Sequence, residues 1–520
     1  MKIIFPRLVV CCILAFLWQT STAQSLDSLA QAGLAVELQA GLTDKDAAPF
    51  WMRSNQYGNT TPEGFSGSLI LQAFRHYQTQ GAGPTTQEIS PKKWDWGFGF
   101  EADLQLAKKN QIQLIDAHFK LRFAMLALKV GRSKDVMGLN GDSLLTSGNF
   151  ALSGNALGIP KLEISIPEYY RIPWFGGLFS IKGNFANGFM GASPINPQVF
   201  KQDPIQLEVQ TYFHQKSIYG RLGRSNWKIQ AYAGLNHQVQ WGGEKSVYGD
   251  AFKLNSLATL WHVLWGIAYG EGDTDIPKSK IGNHLGSIDL ALGYDFGRIN
   301  MLVYRQNFYE VGAISKLANI KDGLNGIALT NKNYSREQRN FNWERVLVEF
   351  FYSKDQAGYP WSKPTKSGDE DYYNNYYYED GWSYKQQGLG TPLIIPAHSA
   401  AKGQAHSPGD FFISNRVIAA HFGIKGHVRR WQVRSKISYA RHYGTFATSE
   451  YGKTTGLISH PPHEERFSPK AQLSSYLRVE RRFFTRTGLG ATLALDQGGM
   501  LPASFGAIIH FKHYFRGLLR

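Results

Sequence analysis

The stretch WKIQAYAGLNHQVQW, residues 227–241, alternates from end to end. Trp227, Ile229, Ala231, Ala233, Leu235, Val239 and Trp241 share one parity. Lys228, Gln230, Tyr232, Gly234, Asn236, Gln238 and Gln240 share the other, and His237 is the polar exception on the apolar side. A strand sends alternate side chains to opposite faces, so this segment has one apolar and one polar face. Its length, at about 3.3 Å per residue and a tilt of about 40°, gives a rise of roughly 35 Å. That rise sets a tryptophan near each edge of an apolar band about 25 Å tall, where amphipathic rings settle. Strands of soluble proteins average about 5–6 residues, so this one is built for a thicker medium.

The pattern recurs. In SIDLALGYDF (287–296) Ile288, Leu290, Leu292, Tyr294 and Phe296 alternate with Ser287, Asp289, Ala291, Gly293 and Asp295. RRWQVRSKISYAR (429–441) and SFGAIIHFKHYF (504–515) behave alike, and further strands are expected at 66–78, 95–107, 111–131 (two), 341–352, 413–426, 473–484 and 487–496. Tight connections such as 223–226 and 296–298 contrast with long ones such as 79–94, 353–412 and 443–469. Backbone groups cannot stay unbonded in hydrocarbon, so a lipid-exposed sheet must close on itself. The expected fold is therefore all-β: a transmembrane antiparallel β-barrel of about eighteen strands with short helical elements and long extracellular loops. A soluble stack of sheets also alternates, but it does not require such long strands with aromatic edges.

The ends agree with export. MKIIFPRLVVCCILAFLWQTSTAQS carries Lys2 and Arg7, an apolar run from Leu8 to Leu17, and Ser21-Thr22-Ala23. This is a secretory leader over residues 1–23, leaving 24–520 as one barrel. Both cysteines, Cys11 and Cys12, lie in the leader, and Val10 before Cys11 argues against a lipoprotein. The mature chain folds without a disulfide. Removing Lys2 and Arg7 lowers the net charge from +16 to +14, which favours an anionic partner. Export excludes nucleic acid, and the cations are scattered singly rather than in a basic tail. The run 257–270 is too short for a spanning helix and is broken by His262. Two segments read as helices: 24–32, periplasmic, and 254–266, with Leu254, Leu257, Trp261 and Leu264 at helical spacing, buried or plug-like.

No catalytic constellation is visible, and no enzyme, cofactor or metal is expected. HPPHEE (460–465) brings His460, His463, Glu464 and Glu465 together without a zinc spacing. There is no G-x-S-x-G elbow. NIKDGLNGI (319–327), with Asn319, Asp322 and Asn325, lacks the acid-rich spacing of a calcium loop and reads as a glycine turn.

Several stretches together resemble one family. They are APFWMRSNQYG (48–58), the long segment LKVGRSKDVMGLNGDSLLTSGNFALSGNALGIPKLEISIPEYYRIP (128–173), YGRLGRSNWKIQAYAGLNHQVQWGG (219–243), LVYRQNFYEVG (302–312), NIKDGLNGI and DYYNNYYYEDGWSY (371–384). In this order they resemble the capsule assembly Wzi family of outer-membrane proteins, across nearly the whole mature chain. The resemblance implies an eighteen-stranded barrel with periplasmic helical material, acting as a lectin that holds capsular polysaccharide at the cell surface. Here the helical segment before the first strand is short, and the chain runs five residues past Phe515, the aromatic that should end the last strand. Expected partners are capsular polysaccharide, acidic in view of the charge, and outer-membrane lipid, with the protein a monomer. The alternative is a diffusion channel for small solutes, suggested by Lys228, Arg434, Lys436 and Lys512 on the inner parity.

DYYNNYYYEDGWSY follows neither a strand nor a helix period. It lies midway along the longest loop, on the side expected outside the cell. Rings off any regular face either form the core of a lid over the barrel or present flat faces and hydroxyls to sugars. The candidate polysaccharide-binding residues are Tyr372, Tyr373, Asn374, Asn375, Tyr376, Tyr377, Tyr378, Trp382 and Tyr384.

Overall fold

The computed structural model describes residues 32–515, apart from 45–46, 78–92, 200–207, 225, 271–275, 277, 311, 336–339, 359, 361–364, 366–367, 456–457 and 485. The expected leader over 1–23 and residues 24–31 of the expected periplasmic helix lie outside the described residues.

Eighteen strands form one antiparallel sheet. They are β1 (Ala32–Thr43), β2 (Phe65–Arg75), β3 (Trp94–Leu106), β4 (Gln111–Phe123), β5 (Leu126–Arg132) and β6 (Lys161–Arg171). Then come β7 (Phe179–Pro194), β8 (Glu208–Leu222), β9 (Ile229–Trp241), β10 (Asn283–Asp295), β11 (Ile299–Tyr309) and β12 (Gly323–Asn331). The last six are β13 (Phe341–Tyr352), β14 (Val417–Val428), β15 (Trp431–His442), β16 (Lys470–Phe484), β17 (Thr487–Gly498) and β18 (Ser504–Phe515). Each strand pairs with its neighbours in sequence. β1 closes the ring, with Leu38 opposite Leu69 on one side and Phe511 on the other. No edge is left in the ring.

The expected parity holds, inside out relative to a soluble protein. On β9 Ile229 and Leu235 are exposed, while Asn236, Gln238 and Gln240 are buried against the lumen. On β18 Phe505 and Ile509 face outward and His510 is buried. At one rim Trp94 packs 4.4 Å from Phe123, and Arg481 sits between Trp431 and Phe483. Aromatic and cationic residues gather at such membrane–water boundaries.

Ala32 and Phe515 lie at the rim of the tight turns 124–125, 296–298 and 429–430; the long connections 133–160, 242–282 and 353–416 cluster at the other rim. In outer-membrane barrels tight turns face the periplasm and long loops the exterior. The long connection expected at 79–94 lies, up to residue 92, outside the described residues; the strand ends that flank it, Arg75 and Trp94, are on the periplasmic rim. Strand count fixes the side of a connection; its length does not.

The helix at 254–266 also departs from expectation. It forms over Ser256–Trp265, capped by the Asn255 side chain accepting the Ala258 N–H, and it ends on Gly266 in the left-handed region at φ 61°. It neither plugs the lumen nor is buried. Val263 packs with Phe252, Ile276 and Ile281 on Val239, which points out of the wall. Lys216, also on the outer face, donates to the Leu264 carbonyl and sits 5.1 Å from the Trp265 ring centroid. The helix so covers outward His214, His237 and His284, whose polar rings would otherwise meet hydrocarbon. Leu257, Trp261 and Trp265 are exposed and continue the apolar band of the wall. Helical spacing reveals an apolar stripe but not which side of a wall it faces.

Ala233→Arg should abolish or slow insertion, whereas Gln230→Arg should be tolerated. A lipid-facing charge within the band costs about 2–4 kcal/mol, while a lumen charge stays hydrated. Heat-modifiable gel mobility checks this, and equal folding of the two variants would contradict the parity.

Candidate functional site

The lumen is occupied by its own chain. Connection 133–160, rich in Gly, Ser and Asn, descends between the strands and is held by lumen side chains. Glu349 on β13 accepts from the Ser147 N–H and hydroxyl, both at 2.7 Å, from Thr146 Oγ1 at 2.8 Å, and from the Tyr304 hydroxyl of β11. Gln306 accepts the Phe150 N–H at 2.8 Å, and Tyr219 accepts the Gly138 N–H at 2.9 Å. His421 donates to the Leu145 carbonyl at 2.6 Å, and Arg345 pairs with Asp142 at 2.8 Å. Backbone that leaves regular structure in an interior must find such partners.

The tyrosine stretch closes over this plug. Phe150 stacks on Phe308 with ring centroids 4.3 Å apart, and Tyr372 and Tyr373 pack on it at 5.0 and 5.2 Å. The Tyr372 hydroxyl donates to Asp322 at 2.8 Å and accepts from Asn319 at 3.0 Å. That of Tyr373 donates to the Phe150 carbonyl and accepts the Thr391 N–H at 2.9 Å. Trp382 Nε1 donates to the Ala151 carbonyl at 2.8 Å, and the Tyr378 hydroxyl to the Gly242 carbonyl at 2.9 Å. Arg132 donates to the Tyr384 hydroxyl at 3.2 Å. Asn374 clasps Phe412 through both its N–H and carbonyl, and Asn375 Oδ1 accepts the N–H groups of Tyr377 and Tyr378. A Cβ on Gly390 would lie 1.8 Å from the Phe150 carbonyl and 1.9 Å from the Tyr373 hydroxyl, so only glycine lets lid and plug meet.

Of the nine candidates, Tyr372, Tyr373, Tyr377, Tyr378, Trp382 and Tyr384 are buried, and Asn374 and Asn375 are half-buried with their amides engaged. Tyr376 is 54% exposed; its hydroxyl is 3.2 Å from that of Ser279, beside Tyr248 and Lys280. Asn319, Asp322 and Asn325 are hydrogen-bonded scaffolding: Asp322 accepts the N–H groups of Asp355 and Gln356, and Asn325 accepts from Arg305. His460, Glu464 and Glu465 are exposed in a surface loop with His463 half-buried. No group of His, Cys, Asp or Glu arranged to hold a metal occurs among the described residues.

Next to the lid an outward-opening cleft of about 1240 Å³ runs between residues 47–63, 105–111 and 386–406. Lys108, Lys109, Lys402 and His406 are exposed along it, with the amides of Gln387 and Gln404 between them. Below it a polar chamber of only about 80 Å³ shares Thr61, Pro62 and Gln105 with the cleft. With the central lumen filled, the polar inner parity serves to bind the plug, and this small chamber is what the described residues leave below the cleft.

Glu310 sets a pH dependence for the lid. Burial and the neighbouring Glu370 and Asp371 carboxylates push it well above the ordinary 4.5, against one donor, the Tyr373 N–H. Asp410 is pushed up to about 7 by burial and Asp371, against Lys453 and the Thr445 hydroxyl. The folded lid thus keeps protons that an opened lid releases, so its stability falls as pH rises from about 4.5 through 7. Proteolysis within 371–412 should be several-fold faster at pH 8 than at pH 5, and Glu310→Gln should reduce the difference, leaving the part that Asp410 contributes. A flat wild-type profile would contradict it. Trp382→Ala should open the same loop to protease, losing about 3–5 kcal/mol locally, while heat-modifiable mobility of the barrel stays unchanged.

A model of the family described as capsule assembly protein Wzi matches residues 53–394. Among solved structures, Wzi of Escherichia coli is described as an outer-membrane protein involved in group 1 capsule assembly and a carbohydrate-binding β-barrel. It aligns with a TM-score of 0.50 at 11% identity, over 93% of this chain and 85% of that one. OccAB4 of Acinetobacter baumannii aligns with a TM-score of 0.40 at 9% identity, over 93% and 98%. OpdQ of Pseudomonas aeruginosa aligns with a TM-score of 0.39 at 9% identity, over 93% and 97%. At these identities the likeness to E. coli Wzi is one of fold. No curated protein matches the chain.

Proposed function

The chain belongs to the Wzi family of capsule assembly proteins, and from that premise we propose that it is an outer-membrane lectin whose outward cleft holds an acidic capsular polysaccharide at the cell surface. The observation that carries this is the cleft itself: about 1240 Å³, open to the exterior, lined by amides and by exposed Lys108, Lys109 and Lys402. Amides supply both donors and acceptors to sugar hydroxyls, and the lysines supply charge for carboxylates on the glycan. The +14 balance of the mature chain points the same way.

The candidate residues divide under this proposal. Tyr372, Tyr373, Tyr378 and Trp382 shape the cleft from behind by holding the lid, with Asn374, Asn375, Tyr377 and Tyr384. Tyr376, with its exposed ring, stacks on sugar at a second patch that Tyr248 also lines. The lid leaves such a ring outside because its hydroxyl bonds to Ser279 rather than into the plug.

Replacing Lys108, Lys109 and Lys402 with serine should weaken binding of purified polysaccharide about tenfold at low salt. The difference should shrink at physiological ionic strength, where exposed charges are screened over about 8 Å. Tyr376→Ala should cost a factor of about two to ten, matching about 0.5–1.5 kcal/mol for one stacked ring. Affinities equal to wild type in both variants, measured by surface plasmon resonance on the folded barrel, would overturn the assignment.

A further inference from the structure

A second cavity, of about 620 Å³, opens at the periplasmic rim and ends beneath the plug at Gln56, Tyr57, Ser143 and Leu144. Its volume is that of a small-ligand site. Lysines and arginines dominate its wall, and its carboxylates are Glu37, Glu101 and Glu480. All three are already engaged. Glu37 faces Arg478 at 3.6 Å and Lys512 at 3.5 Å, Glu480 faces Arg478 at 3.2 Å, and Glu101 faces Lys134 at 2.6 Å.

Two cations well inside the rim, Arg434 and Lys436, have no carboxylate within ion-pair distance among the described residues. Lys436 is 3% exposed; its ammonium lies 3.8 Å from the Trp51 ring centroid and 5.3 Å from that of Tyr476, with no hydrogen bond or ion pair. Arg434 donates one N–H to the Tyr476 hydroxyl at 3.2 Å, and its buried Nε has no acceptor. Ring faces offset part of the cost of burying an ammonium, but a buried cation without an anion is expensive. The two side chains point into the lumen from alternate positions of β15, one above the other, and both line the cavity.

We propose that this vestibule is a periplasmic binding site for an acidic glycan segment, with Arg434 and Lys436 receiving sugar carboxylates. Guanidinium meets a carboxylate through paired N–H donors, and the ammonium adds a point charge. The Tyr476 ring between them offers a face to the sugar. The site is separate from the outward cleft: only the 80 Å³ chamber lies between, sharing Gln39, Gln56, Asn59, Tyr476 and Arg478 with the vestibule, and it is too narrow for a sugar ring. The proposal rests on the acidic-polysaccharide reading for its ligand class, but on different residues and the opposite side of the membrane.

The cysteine-free mature chain makes the test clean. Gln432→Cys puts one thiol on the vestibule wall. Its labelling by a charged maleimide is measured in the folded, detergent-solubilised barrel with trigalacturonate or neutral maltotriose present. Trigalacturonate should slow labelling at least fivefold at low salt, and maltotriose should not. Adding Arg434→Gln and Lys436→Met, with barrel mobility unchanged, should remove the protection, while serine at Lys108, Lys109 and Lys402 should leave it intact. No protection by trigalacturonate, equal protection by maltotriose, or protection that survives the two vestibule substitutions would overturn the proposal. Loss of outward binding in the lysine variant with vestibule protection retained separates the two sites.

Discussion

Hydrocarbon offers a backbone no hydrogen bonds, and everything else in this protein follows from that. The sheet closes, β1 against β18, because an open edge would strand a row of N–H and C=O groups. Closure leaves two surfaces whose demands alternate with every residue. The outer one takes Leu, Ile, Phe and Trp; the inner one collects Glu349, Gln306, Tyr304 and His421, buried yet polar. A lumen of that kind must be filled by water or by groups that bond to it.

This chain fills it with itself. The plug 133–160 brings backbone N–H groups to Glu349 and Gln306, and the tyrosine stretch then seals the plug from above. Tyrosine suits that boundary, since a ring packs on Phe150 and Phe308 while its hydroxyl reaches a buried carbonyl or carboxylate. The aromatic wealth that suggests sugar recognition is mostly spent on architecture. What the architecture leaves open is a cleft outside, a basic vestibule inside, and a constriction between them.

The wall was legible in the sequence because period two survives any tertiary context in a barrel. The segments around 229, 288, 437 and 509 sit in the structure on the faces their parity implies. The plug was not legible: GDSLLTSGNFALSGN has no period, and its composition is that of a surface loop. Its burial depends on Glu349 and Gln306, some 150–200 residues away in the chain. The same limit applied to DYYNNYYYEDGWSY, where residue type allowed both lid and sugar contact and only packing separates Tyr376 from Tyr372. The helix Ser256–Trp265 was legible as a helix, but its place outside the wall depends on Lys216 and Val239. Serine and glycine around a few large apolar residues, as at Leu145 and Phe150, are the one local sign that such a loop packs inside.

A closed barrel with a self-made plug separates holding a polymer from passing one. The family places the chain in capsule assembly, and its aromatic run divides between a buried lid and the exposed Tyr376. Hydrogen–deuterium exchange of the barrel in lipid, with and without purified capsular polysaccharide, tests this most directly. Amides at 372–374, 378 and 382 should exchange slowly without glycan and stay unchanged with it, while protection should rise in 386–406 and 107–111. Fast exchange across 372–382 that slows only when polysaccharide binds would contradict the account, because the tyrosines would then be the binding site and not its foundation.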